Sequence, residues 1–201
     1  NLFMKILLVS ATQLEIQEYL ISAPHHDVLI TGVGLPAAMY ELTSQLHGHR
    51  YDLVIQAGVA GAFEGCGLQL GDIVAVQQDA FGDSGSYEGN SLKSLQELGL
   101  TTDKEWLVNH HKSILTKANL PLVNGITVTS LTNHQPFVQA LLHKWNAPIE
   151  SLEGAALHYV CNKKHIPYLQ IRSVSNVVGE RDKSKWLLGT AIGNLNQSLK
   201  A

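Results

Sequence analysis

Three stretches of the chain, far apart in sequence, carry polar residues that could do chemistry. Glu15 lies in Ser10-Ala11-Thr12-Gln13-Leu14-Glu15, just beyond an apolar run. A carboxylate at the end of a strand can orient and deprotonate a water. The same Thr12-x-x-Glu15 spacing is also a capping box, in which the glutamate satisfies the backbone N–H of Thr12. Glu153 lies in Glu150-Ser151-Leu152-Glu153-Gly154-Ala155-Ala156, where a helical pattern opens. The helix dipole favours an acid in a first turn, by about 0.3–1 kcal/mol. Turned inward, the same carboxylate could accept both hydroxyls of a ribose, and the small residues after it would let the helix come close. Ser175-Asn176 ends an apolar run that starts at Tyr168. Such a pair is ordinarily a turn signal. An asparagine amide also donates and accepts at once, which matches the O6 and protonated N7 edge of a 6-oxopurine.

The glycines offer rival readings. Gly32-Val33-Gly34-Leu35-Pro36-Ala37 fits the G-x-G-x-x-A dinucleotide fingerprint, with Asp52 eighteen residues past Gly34. Against it, the motif follows the second apolar run rather than the first. Pro36 removes a helix N-terminal donor, and Asp52 opens a strand where a ribose-binding acid ends one. Gly58-Val59-Ala60-Gly61-Ala62 reads as a turn that lets backbone approach something closely, such as a sugar or base ring. The ten histidines do not form a metal set: His25-His26 and His110-His111 are adjacent pairs, and no H-E-x-x-H or C-x-x-C spacing occurs. No G-x-S-x-G elbow or phosphate-binding P-loop is present.

These residues must be held by a frame, and the frame is visible in the apolar pattern. Runs at residues 5–10, 27–31, 52–57, 72–77, 125–130 and 168–174 read as strands. Helical patterns at 12–20, 36–47, 136–144, 153–163 and 186–199 alternate with them, as in a largely parallel sheet covered on both faces. Residues 82–112 are polar and read as a surface loop or flap with some helix. Ligands of such sheets sit beyond the carboxyl ends of strands, which directs attention to residues 11–15, 32–34, 58–63, 129–133 and 175–178.

With 201 residues, 45% of them apolar and 15% charged, the chain suits one packed α/β domain and excludes disorder. Residues 4–201 form that domain. Met4 fits an initiator, leaving 1–3 as an upstream extension or a remnant of an expression vector. A net charge of −3 without a basic run argues against nucleic acid, and no run is long enough for a membrane span or signal core. Cys66 and Cys161 cannot make a disulfide framework and fit a reducing cytosol.

In their order, KILLVSATQLEI, LITGVGLPAA, DLVIQAGVAGAF, LGDIVAV, ESLEGAALHYVC and IPYLQIRSVSNVVGERDKSKW resemble the nucleoside phosphorylase/nucleosidase superfamily, and within it the futalosine hydrolases of the menaquinone pathway. The resemblance covers most of the chain. It implies a three-layer α/β/α sandwich with a central mixed, partly barrel-like sheet, usually in homo-oligomers; the cysteine usage sets the expected location as cytoplasmic. Residue by residue, Glu15 matches the family's water-activating glutamate and Glu153 the one that holds the ribose hydroxyls. Asn176 stands where methylthioadenosine/S-adenosylhomocysteine nucleosidases have an aspartate that protonates adenine N7, a departure that suits hypoxanthine. Gln13 stands where a second acid often occurs. The phosphate-binding arginine of the phosphorylases is absent near the first strand, so water is the expected nucleophile.

The implied reaction is hydrolysis of a purine N-glycosidic bond without metal or organic cofactor. Glu15 and Asn176 are the expected catalytic residues. Glu153, Leu152, Ser175, Val59, Gly61, Phe63 and Leu131 are expected around the substrate, with Phe81 as a further candidate wall. The runner-up is an adenine-releasing nucleosidase acting on methylthioadenosine, S-adenosylhomocysteine or aminodeoxyfutalosine. A non-catalytic nucleoside-binding protein and an NAD-dependent oxidoreductase, the latter resting on residues 32–37 alone, are the alternatives of other classes.

Overall fold

Strand-like and helix-like segments alternate as the apolar pattern predicts, and the strands gather into one mixed sheet. The computed structural model describes residues 4–22 and 26–200. Residues 1–3, expected to be an extension, and His25 lie outside the described residues. The strands are β1 (Ile6–Ser10), β2 (Asp27–Ile30), β3 (Leu53–Ala62), β4 (Ile73–Asp79), β5 (Gly85–Glu88), β6 (Ser91–Ser94), β7 (Leu107–Val108), β8 (Leu122–Thr127), β9 (Ile149–Ser151) and β10 (Tyr168–Val177). The helices are α1 (Gln13–Ser22), α2 (Leu35–Gly48), α3 (Lys112–Ala118), α4 (Gln135–Trp145), α5 (Gly154–Lys164) and α6 (Leu188–Lys200).

The order β3–β10–β4–β8–β9 returns to β3 and closes a five-stranded barrel, mixed in direction. β1 and then β2 extend from β3 as a parallel wing. The length of β3 makes this possible. On one edge it carries β10 along nearly its whole course, while the other edge is divided between β1, at Leu53–Gln56, and β9, at Gly61–Ala62. Between those two partners the edge is left open, and the functional site forms at that gap. The barrel is narrow, and small side chains fill it: Ala60, Ala62, Val74, Val76, Ile149 and Val174.

Period-two alternation sends neighbouring strand residues to opposite faces. Leu7 and Val9 pack with Leu42, Leu46, Leu157 and Tyr168 under α2 and α5. Leu8 packs with Ile16, Tyr19, Ile171 and Leu195 under α1 and α6. Both faces of β1 are therefore buried, which is why its sequence is apolar without alternation.

Four readings of the sequence are corrected. Gly58-Val59-Ala60-Gly61 is no turn but the continuation of β3. Ser175-Asn176 likewise lies inside β10, with a bulge between Val174 and Asn176. The polar segment before α3 forms the β5–β6 hairpin and the short β7 rather than helix, because polar residues alternate there with Tyr87, Leu92 and Ser94 packed inward. Glu150 and Ser151 belong to β9, three residues that were too few to leave a pattern. No described helix is long and apolar enough to cross a membrane. Both cysteines are free thiols.

Candidate active site

Glu15 sits in the first turn of α1, beyond the end of β1, and is 8% exposed. Its Oε2 accepts from Thr12 N (3.0 Å), Thr12 Oγ1 (2.9 Å) and Ser10 Oγ (3.2 Å). This is the capping box that the spacing suggests. Among the described residues its Oε1 accepts only from Val59 N, at 3.1 Å. That N–H lies on the stretch of β3 that neither β1 nor β9 pairs. Capping and chemistry therefore use different oxygens of one carboxylate, and Oε1 keeps acceptor capacity toward the cavity. Fully buried Asn196 of α6 holds the helix that carries it: Oδ1 accepts from Tyr19 N and Nδ2 donates to the Glu15 carbonyl, both at 2.8 Å.

Glu153 precedes the first residue of α5 but does not cap that helix. The α5 amides are met from elsewhere, Gly154 N by Ser151 Oγ (3.1 Å) and Ala155 N by Thr127 Oγ1 (2.7 Å). The Glu153 carboxylate is freed to turn inward, where Oε1 accepts from Gly34 N at 2.9 Å and Oε2 lies 3.6 Å from Arg172 Nη1. The G-x-G turn thus places Gly34 at φ +98 and offers its N–H to a glutamate; the donor that a pyrophosphate needs is already taken. Burial raises the Glu153 carboxyl above its usual range, with Glu15 adding to the rise and Arg172 and the Gly34 N–H opposing it.

Arg172, 2% exposed, was not anticipated. Its guanidinium donates to Val59 O (3.2 Å) and Gln56 Oε1 (2.9 Å), and so braces Glu153 against β3. It can do so because Gly58 has no side chain: a Cβ there would lie 2.5 Å from Arg172 Nη1 and 3.1 Å from Glu15 Oε1. The signal was present in YLQIRSV, where Gln170 and Arg172 are polar at period two in an otherwise apolar strand. Beneath this layer lies Asp79, whose Oδ1 accepts from Ala80 N (2.9 Å) and Thr127 Oγ1 (3.0 Å). Burial pushes its carboxyl up to about 6.

Asn176 is oriented by its neighbours. Ser175 Oγ donates to Asn176 Oδ1 at 2.8 Å, and Asn176 Nδ2 donates to Val177 O at 3.1 Å. Each amide atom retains one further bonding direction.

Glu15, Glu153 and Asn176 line one cavity of about 300 Å³ at the carboxyl ends of β1, β3 and β10. Val59, Gly61, Leu131, Leu152 and Ser175 line it too. The other expected wall residues do not. Phe63 follows the end of β3 and is driven into the core beside Ala80, Ile126, Val128 and Val178. Phe81 stacks at a tilt on Tyr159. Glu150, Arg181 and Trp186 line the cavity as well. Among the described residues no three His, Cys, Asp or Glu side chains gather as a metal set.

The sequence profile of the Phosphorylase superfamily matches residues 17–200. A protein named futalosine hydrolase from Acidothermus cellulolyticus is 30% identical over 182 residues, spanning 87% of this chain and 74% of the relative. Among solved structures, a 5'-methylthioadenosine/S-adenosylhomocysteine nucleosidase of Colwellia psychrerythraea in complex with adenine is similar with a TM-score of 0.79 at 18% identity, over 98% of this chain and 93% of that one. The futalosine hydrolase of Helicobacter pylori gives 0.78 at 16% identity, over 98% and 96%. The two structural likenesses establish the mixed α/β fold with its partial barrel, and the profile and the first relative establish kinship. The chain belongs to the Phosphorylase superfamily and stands among its N-glycosyl hydrolases, the nucleosidases.

Proposed function

We propose that the protein hydrolyses the N-glycosidic bond of futalosine, releasing hypoxanthine and dehypoxanthine futalosine, as a step of menaquinone biosynthesis. The observation that carries this reading is the meeting of Glu15, Glu153 and an asparagine, Asn176, around one cavity. The similarity to a protein named futalosine hydrolase supports the choice of substrate.

The reaction passes through an oxocarbenium-like sugar, as in other glycoside cleavage. Glu153 accepts the ribose hydroxyls and favours positive charge building on the sugar. Glu15 Oε1 takes a proton from water on the face opposite the base. Asn176, its carbonyl held by Ser175, donates to and accepts from the edge of a 6-oxopurine, stabilising hypoxanthine as its N7-protonated tautomer. Val59, Gly61, Leu131 and Leu152 surround the sugar and base. Among the described residues lining the cavity, only Arg181 is basic; its guanidinium lies over the Trp186 ring, 5.8 Å from the centroid, and the pair is available to the substrate's tail.

We further read the protein as a cytoplasmic homo-oligomer. Around the mouth, Leu14, Val33 and Leu131 are 59%, 61% and 44% exposed, an apolar rim that a second copy would cover. Sedimentation of the purified protein tests this, and a monomer at micromolar concentration refutes it.

Incubation with futalosine, inosine and methylthioadenosine, with free base separated by liquid chromatography, tests the activity. Hypoxanthine from futalosine, well ahead of the other two, is expected. Adenine release as the faster reaction replaces the reading with an adenine nucleosidase, and release from none removes the enzyme.

A further inference from the structure

Glu150 has no role in the chemistry above, yet it is the most unusual side chain in the cavity. It is 7% exposed, lines the cavity, and receives no hydrogen bond or ion pair among the described residues. The sheet register explains its aim. Gly61 of β3 pairs with Glu150 of β9 on one side and with Asn176 of β10 on the other. Residues paired directly across strands point to the same face. Glu150, Gly61 and Asn176 thus form one row, and the middle member has no side chain. A Cβ on Gly61 would lie 3.1 Å from Val178 Cγ2, 3.2 Å from Asn176 Nδ2 and 3.6 Å from Glu150 Cγ. The row sets a carboxyl and an amide on either side of Gly61, with Val178 packed between them.

We propose that Glu150 is the acid of the site, delivering a proton to the purine base as it leaves. An amide at 176 can donate a hydrogen bond but cannot give up a proton at neutral pH, and Glu150 stands where that proton is needed. The proposal rests on the nucleosidase reading. As the C1′–N9 bond breaks, its electron pair withdraws into the base, and the carboxyl proton of Glu150 passes to the base ring nitrogen N7. The water activated at Glu15 adds to C1′, and its proton returns through solvent to the Glu150 carboxylate once the base has gone. The surroundings suit the task. Burial and the Asp83 carboxylate push the Glu150 carboxyl up to about 7, with Arg181 opposing. The same cavity is lined by the uncharged Ser151, Asn176 and Thr132 and by the carboxylates of Glu15, Glu153 and Glu180.

The test compares wild type, Glu150→Gln and Glu150→Asp on whichever purine nucleoside the wild type hydrolyses, and on its N7-methylated form, whose base is already cationic. Glu150→Gln is expected to lose about 10²–10⁴-fold in kcat on the ordinary nucleoside and to lose the fall in kcat above neutral pH. Glu150→Asp restores that limb in part, and the loss shrinks below about tenfold on the methylated nucleoside, where no N7 proton is needed. An equal loss on both nucleosides, a retained basic limb in Glu150→Gln, or a wild-type kcat that rises through this pH range overturns the proposal while leaving the nucleosidase intact. A wild type that releases no base from any nucleoside instead refutes the underlying reading.

Discussion

Replacing Glu15 by glutamine separates its two jobs, because each belongs to a different oxygen. Three donors converge on Oε2 and one on Oε1. The amide therefore settles with its carbonyl at the Oε2 position, keeping the capping box. Its NH₂ then faces the Val59 N–H, and one buried donor loses its acceptor. That costs about 1–3 kcal/mol, less than the roughly 5–15 kcal/mol that holds a domain together. The variant folds. It cannot take a proton from water, and loss of such a group lowers kcat about 10²–10⁴-fold. Two measurements decide the matter: base release by chromatography and a urea unfolding curve on the same preparation. A folded Glu15→Gln protein that hydrolyses within about threefold of the wild-type rate would show that Glu15 only caps α1, and the proposed mechanism would fail.

Three further outcomes follow from the geometry. In Gly58→Ala the added methyl meets Arg172 Nη1 at 2.5 Å, so stability drops by about 1–3 kcal/mol in urea and base release falls; an unchanged unfolding midpoint refutes the bracing role of Arg172. Asn176→Asp should move preference toward 6-amino purines, read as the ratio of adenine to hypoxanthine released from paired substrates; a constant ratio undoes the base-recognition argument. Asp79, with its pKa raised from 3.8 to about 6, takes up a proton more readily in the fold than in the unfolded chain. Its contribution is therefore full below its unfolded value and disappears as pH rises through the folded one. Wild type should lose stability relative to Asp79→Asn between about pH 4 and about pH 6, by on the order of 1.4 kcal/mol for each pH unit crossed. A gap that stays constant or widens in favour of wild type contradicts this.

The wing strands β1 and β2 and the helices other than α3 were legible because the strands are short apolar runs, buried in β1 and half-exposed at the sheet edge in β2, and the helices carry their own period. Glu15 and Asn176 stood out for a similar reason, each being a polar residue just past or at the end of such a run, and Glu153 as an acid where a helical pattern opens. What escaped were features whose cause lies on another strand. The small residues of Gly58-Val59-Ala60-Gly61 suggest a turn when read alone, but they are small because Arg172 crosses Gly58 and because Glu150 and Asn176 flank Gly61. Phe63 looked like a cavity wall and is core, since the face on which it falls depends on where β3 stops.

Local chemistry along the polymer settled the six apolar strands, the order in which helices follow them, and the capping glutamate after the first, because hydrophobic period and capping spacing act within a few residues. Closure of the barrel decided the rest. The return of β9 to β3 leaves the Val59 N–H for Glu15, and the bulged register of β10 sets Asn176 opposite Glu150. Those pairings join residues as much as 115 positions apart, as Asn176 and Gly61 are, and no pattern within a single segment contains them.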